Sequence, residues 1–365
     1  MADNTFVNNE FSIPALSSNT KFNFLHSILN STEPDSFSTF FTQDNNDSPY
    51  DSLNINCNYS SIADIPNHDE LSVLSLNIQS LNAKYSELKD LIFELSLSKK
   101  NPDIICLQEL WQFPIEADFS LVGYKPLVFK LRSNNVQGGG VGIFIKNNIT
   151  SAHVPSLSLF HDRIFESVFV KIALPNNKSF YVGSVYRPGS HHPTLNCSQQ
   201  FELFIETLAG LLDKLSSSGI PVYIFGDINL DVLKYGSCRN VTIYVDLLFS
   251  HGFIQTVTLP TRCGINNASI IDHCLTNASS HKFNSLILVN SISDHFPILH
   301  FISNFNFNNK PKFIEYRDFS DSNIDKFKEN LRAINWNHFY SINDTQSAYD
   351  FFLTRFLLYI NYTFL

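Results

Sequence analysis

Hydrophobic and polar positions along the chain switch between a period of two and a helical period, and the switches mark out its elements. Leu71-Ser72-Val73-Leu74-Ser75-Leu76 alternates apolar and polar as a half-buried strand and stops at Asn77. From Leu81 the spacing of Leu81, Tyr85, Leu88, Leu91, Ile92 and Leu95 predicts a helix, closed by Asn101-Pro102-Asp103. Ile104-Ile105-Cys106-Leu107-Gln108 then reads as a buried strand ending at Glu109, so the opening is one strand–helix–strand crossover. The middle third reads as antiparallel: Val141-Gly142-Ile143-Phe144-Ile145 follows Gly138-Gly139-Gly140, and strands over 167–174 and 179–186 flank the turn signal Asn176-Asn177. A helix over 199–215 leads to Val222-Tyr223-Ile224-Phe225, an unbroken β-branched and aromatic run with the composition of a fully buried strand, which ends in Gly226-Asp227-Ile228-Asn229. A helix over 241–251 and strands over 269–273, 283–289 and 296–301 follow. Beyond residue 305, Asn323, Phe327, Leu331 and Ile334 fit one helix face, and 348–359 forms an apolar partner.

Composition changes this picture at the amino terminus. Residues 1–69 are rich in Asn, Ser, Asp and Phe, and they hold short apolar islands such as Phe22-Asn23-Phe24-Leu25 without a sustained period. Such a segment cannot offset the entropy of ordering and is predicted to be mostly disordered, with its phenylalanines leaving room for a short docking element. The folded region is therefore placed at 70–305, followed by a helical segment over 306–365.

Charge divides the same way. The formal net charge is −9, but residues 1–70 hold seven Asp and three Glu against the single Lys21, which alone gives −9. The remainder, with 24 basic and 24 acidic residues, is neutral and lacks the strong basic excess of a tight duplex binder. The six cysteines show no C-x-x-C or His-paired metal spacing and read as reduced structural thiols. There is no signal-peptide pattern, and the most apolar stretch, 351–365, contains Arg355 and Asn361; it reads as a core helix, and no membrane association is expected. The triple glycine lacks both the P-loop Lys-Ser/Thr and the dinucleotide spacing, so it reads as backbone crowding or a flexible lead into the strand. His191 and His192 read as an exposed loop pair, since no nearby Cys or second His pair completes a zinc site.

The candidate chemistry sits at the strand ends: Asn77, Glu109, Tyr186, Asp227, Asn229, Asp272, Asp294 and His295. Strand alternation would project Asp227 and Asn229 to the same side, a carboxylate to handle a proton and a carboxamide to donate to an anion. Taken singly, each has a structural explanation: Gly, Asp and Asn are turn formers, Glu109 can cap a strand, Tyr186 can be core, and His295 can be a satisfied structural histidine.

Their order and flanks carry more. Leu-Asn-Ile (76–78), Leu-Gln-Glu (107–109), Val-Tyr-Arg-Pro (185–188), Gly-Asp-Ile-Asn (226–229), Ile-Asp-His (271–273) and Ser-Asp-His (293–295) occur in a sequence that resembles the endonuclease/exonuclease/phosphatase superfamily. Gly-Gly-Gly-Val-Gly-Ile, Pro-Thr-Arg (260–262) and Ile-Asp-His-Cys-Leu-Thr-Asn look more narrowly like the endonuclease domain of non-LTR retrotransposons. The resemblance implies a four-layer α/β sandwich of two mixed, largely antiparallel sheets with outer helices and the named residues at one edge. It implies Mg²⁺, with Mn²⁺ able to substitute, on Glu109, with Asn77 as amide ligand or support and Asp294 nearby. Asp227 would position or deprotonate the attacking water, Asn229 would donate to a phosphoryl oxygen, and His295 with Asp272 would form a second arm. Tyr186 and Thr261 match positions that hold the phosphate, and Arg187 is expected to touch the DNA backbone.

The activity implied is nicking of duplex DNA, weak and salt-sensitive in binding, in the nucleus, with target choice in loops around 132–137 and 189–193. In the retrotransposon family the nick supplies a 3′ hydroxyl that primes reverse transcription. No Tyr-x-Asp-Asp-type motif is present, and Tyr316-Arg317-Asp318-Phe319-Ser320 resembles the connector before a polymerase, so a fragment without its reverse transcriptase domain is expected. The rival readings are a phosphatase or sphingomyelinase of the same superfamily, and a non-catalytic remnant acting as an interaction module.

Overall fold

The computed structural model describes residues 54–113, 119–132, 138–174, 177–190, 192–264, 267–278, 282–302, 321–334 and 336–364. The expectations for 1–53, the loop 133–137, His191 and the Tyr316–Ser320 connector lie outside these residues. The chain divides into two units, residues 1–306 and 307–365.

In chain order the first unit contains β1 (Asn54–Ser60), β2 (Leu71–Asn77), α1 (Leu81–Leu97), β3 (Ile104–Gln108), β4 (Val128–Lys130), β5 (Val141–Ile145), β6 (Ser151–His153), β7 (Phe160–His161), β8 (Phe165–Ala173) and β9 (Ser179–Tyr186). It continues with α2 (Cys197–Ser217), β10 (Val222–Asp227), α3 (Arg239–Ser250), β11 (Ile254–Gln255), β12 (Arg262–Cys263), β13 (Ala268–Ser269), β14 (Asp272–Thr276), β15 (Lys282–Leu288) and β16 (Ile298–Ile302). Among the described residues these strands form two large mixed sheets: the first ordered β1-β15-β16-β2-β3-β5-β4, the second β11-β14-β10-β9-β8-β6 with β7 beside β8, and β12-β13 a separate hairpin.

The sheets stack face to face, with β3 against β9, β5 against β8 and β2 against β10. Helix α1 starts where the Ser80 hydroxyl accepts the Ala83 N–H, and it buries Leu81, Leu88, Leu91, Ile92 and Leu95. Those side chains pack on Leu74, Leu76, Ile105 and Leu107 of the first sheet's outer face, each burial stabilising by about 1.5–3 kcal/mol. Helix α2 opens with a reciprocal Asn196–Gln199 cap. It covers the second sheet, where Phe204 meets Phe165 of β8 and Tyr244 of α3. The four-layer sandwich is therefore as expected.

Three local expectations change. Order begins before residue 70, because β1 pairs in parallel with β15 from Asn54↔Lys282 to Ser60↔Leu288; Ile55, Cys57 and Tyr59 are half-buried while Asn56 and Asn58 are exposed, an edge-strand pattern. Strand β2 is buried along its whole length. Its Ser75 faces the other sheet, near the Gln108 amide that also donates to Ser184 Oγ at 3.0 Å. Finally, the strand expected over 269–273 is broken at Ile270-Ile271, and Asp272 starts β14.

The second unit consists of α4 (Asp321–Arg332), α5 (Trp336–Tyr340) and α6 (Thr345–Phe364). Phe327 packs edge-on against Phe356, and Trp336 and Phe339 pack against Phe352. Among the described residues no helix is long and apolar enough to cross a membrane.

Gly226 sets the spacing of β9 and β10. At φ +156° a Cβ there would stand 1.8 Å from the Val185 carbonyl oxygen. Gly226→Ala should therefore destabilise the protein by more than about 1 kcal/mol, read as a lower urea midpoint; an unchanged midpoint would contradict this strand approach.

Candidate active site

Register and sheet packing together build the site. Pairing of β8, β9, β10 and β14 puts Glu166 opposite Tyr186, Tyr186 opposite Asp227, and Asp227 opposite Asp272. Directly paired residues share a face, so these four form one row across the second sheet. The facing strands of the first sheet run in matching order and supply one partner to each member. Arg132, after β4, meets Glu166 with Nε 2.5 Å from Oε1. Glu109, after β3, accepts the Tyr186 hydroxyl at 2.9 Å. Asn77, ending β2, donates Nδ2 to Asp227 Oδ2 at 2.9 Å, and His295, ahead of β16, places Nδ1 2.8 Å from Asp272 Oδ2.

Glu109 is held at both carboxylate oxygens. Asn77 Nδ2 donates to Oε1 at 3.0 Å and the Trp111 indole N–H to Oε2 at 2.9 Å, besides Tyr186. The backbone around it is left-handed at Gln79, Ser80, Glu109 (φ +54°) and Trp111 (φ +57°), at a cost of about 1–3 kcal/mol per residue. Four backbone bonds hold this turn: Ser80 N to Glu109 O, Leu81 N to Leu110 O, Leu110 N to Gly140 O and Trp111 N to Gly139 O. The triple glycine is crowded, as expected, since a Cβ on Gly139 would stand 2.2 Å from Arg132 Nε.

Asp227 and Asn229 do meet, by a route other than strand alternation. The strand ends at Asp227, and Asn229 is left-handed at φ +52°. Its backbone N–H donates to Asp227 Oδ1 at 2.9 Å, and Nδ2 donates to Asp227 Oδ2 at 3.0 Å and to the Arg187 carbonyl at 2.9 Å. Asp227 thus accepts three N–H groups while buried.

Four expected roles are corrected, the first being that of Tyr186, whose hydroxyl goes to Glu109 and not to a phosphate. Arg187 turns away from the site: strand alternation puts it opposite Tyr186, where its guanidinium lies 4.9 Å from the Phe204 ring centre and donates to the Ile228 carbonyl at 3.2 Å. Thr261 gives its hydroxyl proton to Asp272 Oδ2 at 2.6 Å and orients that carboxylate instead of a phosphate. Asp294 is gripped by Arg262, Nε to Oδ2 at 2.9 Å, and by the Gln79 amide. A carboxylate paired in this way is not an open metal ligand. His273 of the Ile-Asp-His motif is buried on the far side, bonded to the Tyr244 hydroxyl at 2.8 Å. Trp111, Gln79 and Arg262 carry site contacts that the motifs did not assign.

The charges are unbalanced. Burial, then the Asp272 carboxylate beside it, pushes Asp227 above the usual carboxylate range, although His295 and the N–H donors oppose the shift. Burial alone would lower His295, but Asp272 more than offsets it, helped by Asp227 and Asp294, and raises it to about 9. Among the described residues no Lys or Arg pairs with Glu109, Asp227 or Asp272. Asp227, Asp272 and His295 offer ligand atoms within 4.8 Å of one another. An anionic pocket of hard oxygen donors fits a divalent cation. Asp272 faces His295 and Asp294 faces Arg262, so among the described residues the carboxylates of this pocket without a paired cation are Glu109 and Asp227.

The sequence profile of the Endonuclease/Exonuclease/phosphatase family matches residues 74–295, so the chain belongs to this family of hydrolytic nucleases and phosphatases. Among solved structures it is similar to the AP endonuclease LMAP from Leishmania major, at 12% identity over 73% of this chain and 98% of that one, with a TM-score of 0.55. It is also similar to an AP endonuclease from Archaeoglobus fulgidus, at 18% identity over 64% of this chain and 100% of that one, with a TM-score of 0.47. The endonuclease domain of TRAS1, a telomere-specific non-LTR retrotransposon, matches at 14% identity over 64% and 98%, with a TM-score of 0.46. At 12% identity the likeness to LMAP is one of fold alone. No curated protein matches the chain in sequence.

The His295 shift fixes the sign of a pH effect. Its folded value of about 9 stands above the ordinary 6.5, so the stability of the charged pair is full below pH 6.5 and lost as pH rises through about 9. Asp227, also raised, acts in the same direction over the range above the ordinary carboxylate value. Metal-free protein should lose about 1–3 kcal/mol in urea unfolding between these pH values, and Asp272→Asn should flatten the fall.

Proposed function

We propose that the protein is a Mg²⁺-dependent endonuclease that hydrolyses a phosphodiester of duplex DNA, of the kind carried by non-LTR retrotransposons and acting in the nucleus, with Mn²⁺ able to substitute. One observation carries the reading: the Asn77 amide bridges Glu109 and Asp227, which sets a half-buried carboxylate without a paired cation one rung from a buried, unusually basic one.

A phosphodiester is anionic and repels nucleophiles, so its hydrolysis needs charge neutralisation, a placed water and a stabilised leaving oxygen. Glu109 would hold the metal ion, with Asn77 and Tyr186 fixing its carboxylate. The bound ion supplies charge neutralisation at the phosphate. Asp227 accepts the proton of the attacking water, a task suited to a carboxylate whose proton affinity burial has raised. The water oxygen bonds to phosphorus, the P–O3′ bond breaks, and the released 3′ oxygen takes up a proton. Asn229 swings one amide hydrogen to a phosphoryl oxygen, and His295 presents Nε2–H while Asp272 accepts its Nδ1–H and favours its charged form. The neutral charge balance of the folded region, with few cations to release counterions, suits weak and salt-sensitive DNA binding.

Nicking of supercoiled plasmid with Mg²⁺ tests the reading, with sphingomyelin and phosphoinositide assayed beside it. Wild type should nick, and chelation should stop it. Glu109→Gln and Asp227→Ala should each lower the rate by at least about 10²-fold. Equal nicking by wild type and Asp227→Ala would contradict the assignment, and turnover of lipid phosphate without nicking would favour a phosphatase.

A further inference from the structure

The row across the second sheet has four rungs, and the reaction proposed above uses three. The fourth, Arg132 with Glu166, touches no reacting group and is almost wholly buried, with side chains 5% and 1% exposed. A buried ion pair is weak support for stability, because desolvation offsets its attraction. Its position suggests another use. Glu166 accepts Nε–H of Arg132 at one oxygen and the Gly140 N–H at the other. The pair therefore joins the second sheet to the triple-glycine backbone of the first. The carbonyls of Gly139 and Gly140 in turn receive Trp111 N–H at 2.8 Å and Leu110 N–H at 3.1 Å, the bonds that hold the left-handed Glu109–Trp111 turn. Glu166 also stands directly opposite Tyr186, whose ring centre lies 6.0 Å from the Arg132 guanidinium carbon. Tyr186 and Trp111 are two of the donors to Glu109.

We propose that the Arg132–Glu166 pair is the positioning element for Glu109: it anchors the triple glycine that holds the Glu109–Trp111 turn, and it backs the Tyr186 ring, so that the Glu109 carboxylate is presented ready-made to a divalent ion. The proposal rests on Glu109 being the metal ligand. Neither residue touches substrate, so the pair governs metal affinity and turnover and leaves DNA affinity alone.

The test measures Mn²⁺ binding to the full chain by calorimetry, with plasmid nicking and thermal unfolding alongside. In Arg132→Met/Glu166→Leu the anchor is gone and no lone charge remains buried. Mn²⁺ affinity should fall about tenfold, the range for partners that orient a metal ligand, and kcat should fall with KM for plasmid unchanged. Arg132→Met/Glu166→Gln, whose amide oxygen again accepts the Gly140 N–H, should recover most of the loss. A pair that merely stabilises the fold would shift the melting point and leave Mn²⁺ affinity and kcat at the wild-type level, and that result overturns the proposal. If the leucine variant does not fold, Arg132→Met/Glu166→Met, closer in shape to the native pair and again without an acceptor for the Gly140 N–H, decides: weakened Mn²⁺ binding supports positioning, and wild-type binding refutes it. Glu109→Gln separates the two levels. If it abolishes Mn²⁺ binding while the double variants bind normally, only the positioning role fails; if it binds Mn²⁺ like wild type, the metal assignment fails as well.

Discussion

Asp227 and Asp272 stand directly opposite on neighbouring strands, and most of the site answers that one repulsion. Side chains so paired lie about 5 Å apart. At an effective dielectric of about 20, two ionised carboxylates at that distance repel by roughly 3 kcal/mol, a large part of a net stability of about 5–15 kcal/mol. Cross-strand neighbours cannot relieve it, because the row holds only Glu166, Tyr186 and these two acids. Relief comes from the opposite sheet: His295 against Asp272, and Asn77 against Asp227. The hydrogen bonds that close the sandwich at this edge are thus the bonds that build the site.

This coupling accounts for what the sequence made legible. Strands β3, β5, β9 and β10 and helices α1 to α3 follow long runs with an unambiguous period, and they stand within a few residues of where the pattern puts them. Strand β1 is not legible although Ile55-Asn56-Cys57-Asn58-Tyr59 alternates cleanly, because its Asn-rich flanks read as disorder and an edge strand buries little. Ser75 made β2 look half-exposed for a different reason. The space between the sheets holds polar side chains near the site, including Gln108 and Ser184, so a polar position there signals contact with the other sheet and not with water.

At the site, the strand-end rule found seven of the residues that now stand together, Asn77, Glu109, Tyr186, Asp227, Asn229, Asp272 and His295. It did not find their pairing. Which carboxylate meets which donor depends on how two sheets align across a gap, and no local pattern encodes that. Arg187 is the instructive exception: strand alternation alone sends it away from Tyr186, and the motif it shares with that residue hid the parity. Trp111 sits just beyond a quoted motif and Arg262 inside one that gave it no role, at a strand end and on a hairpin, where side-chain direction is set by a left-handed turn or by a bridge to His295.

Left-handed backbone at Gln79, Ser80, Glu109, Trp111 and Asn229 costs energy that the fold must recover elsewhere. The recovery is visible as bonds from rigid elements: the Ser80 and Leu81 N–H groups at the α1 amino terminus hold the Glu109 and Leu110 carbonyls, the β5 lead-in holds Leu110 and Trp111, and the Arg187 carbonyl holds Asn229. Each strained residue is gripped by an element belonging to a different part of the sandwich. A carboxylate on a relaxed loop could move to meet a cation, and that rearrangement would cost binding energy. Glu109, strained and held at both oxygens, has that cost met in folding, which makes the stability of this sheet edge and the readiness of its carboxylate one physical quantity.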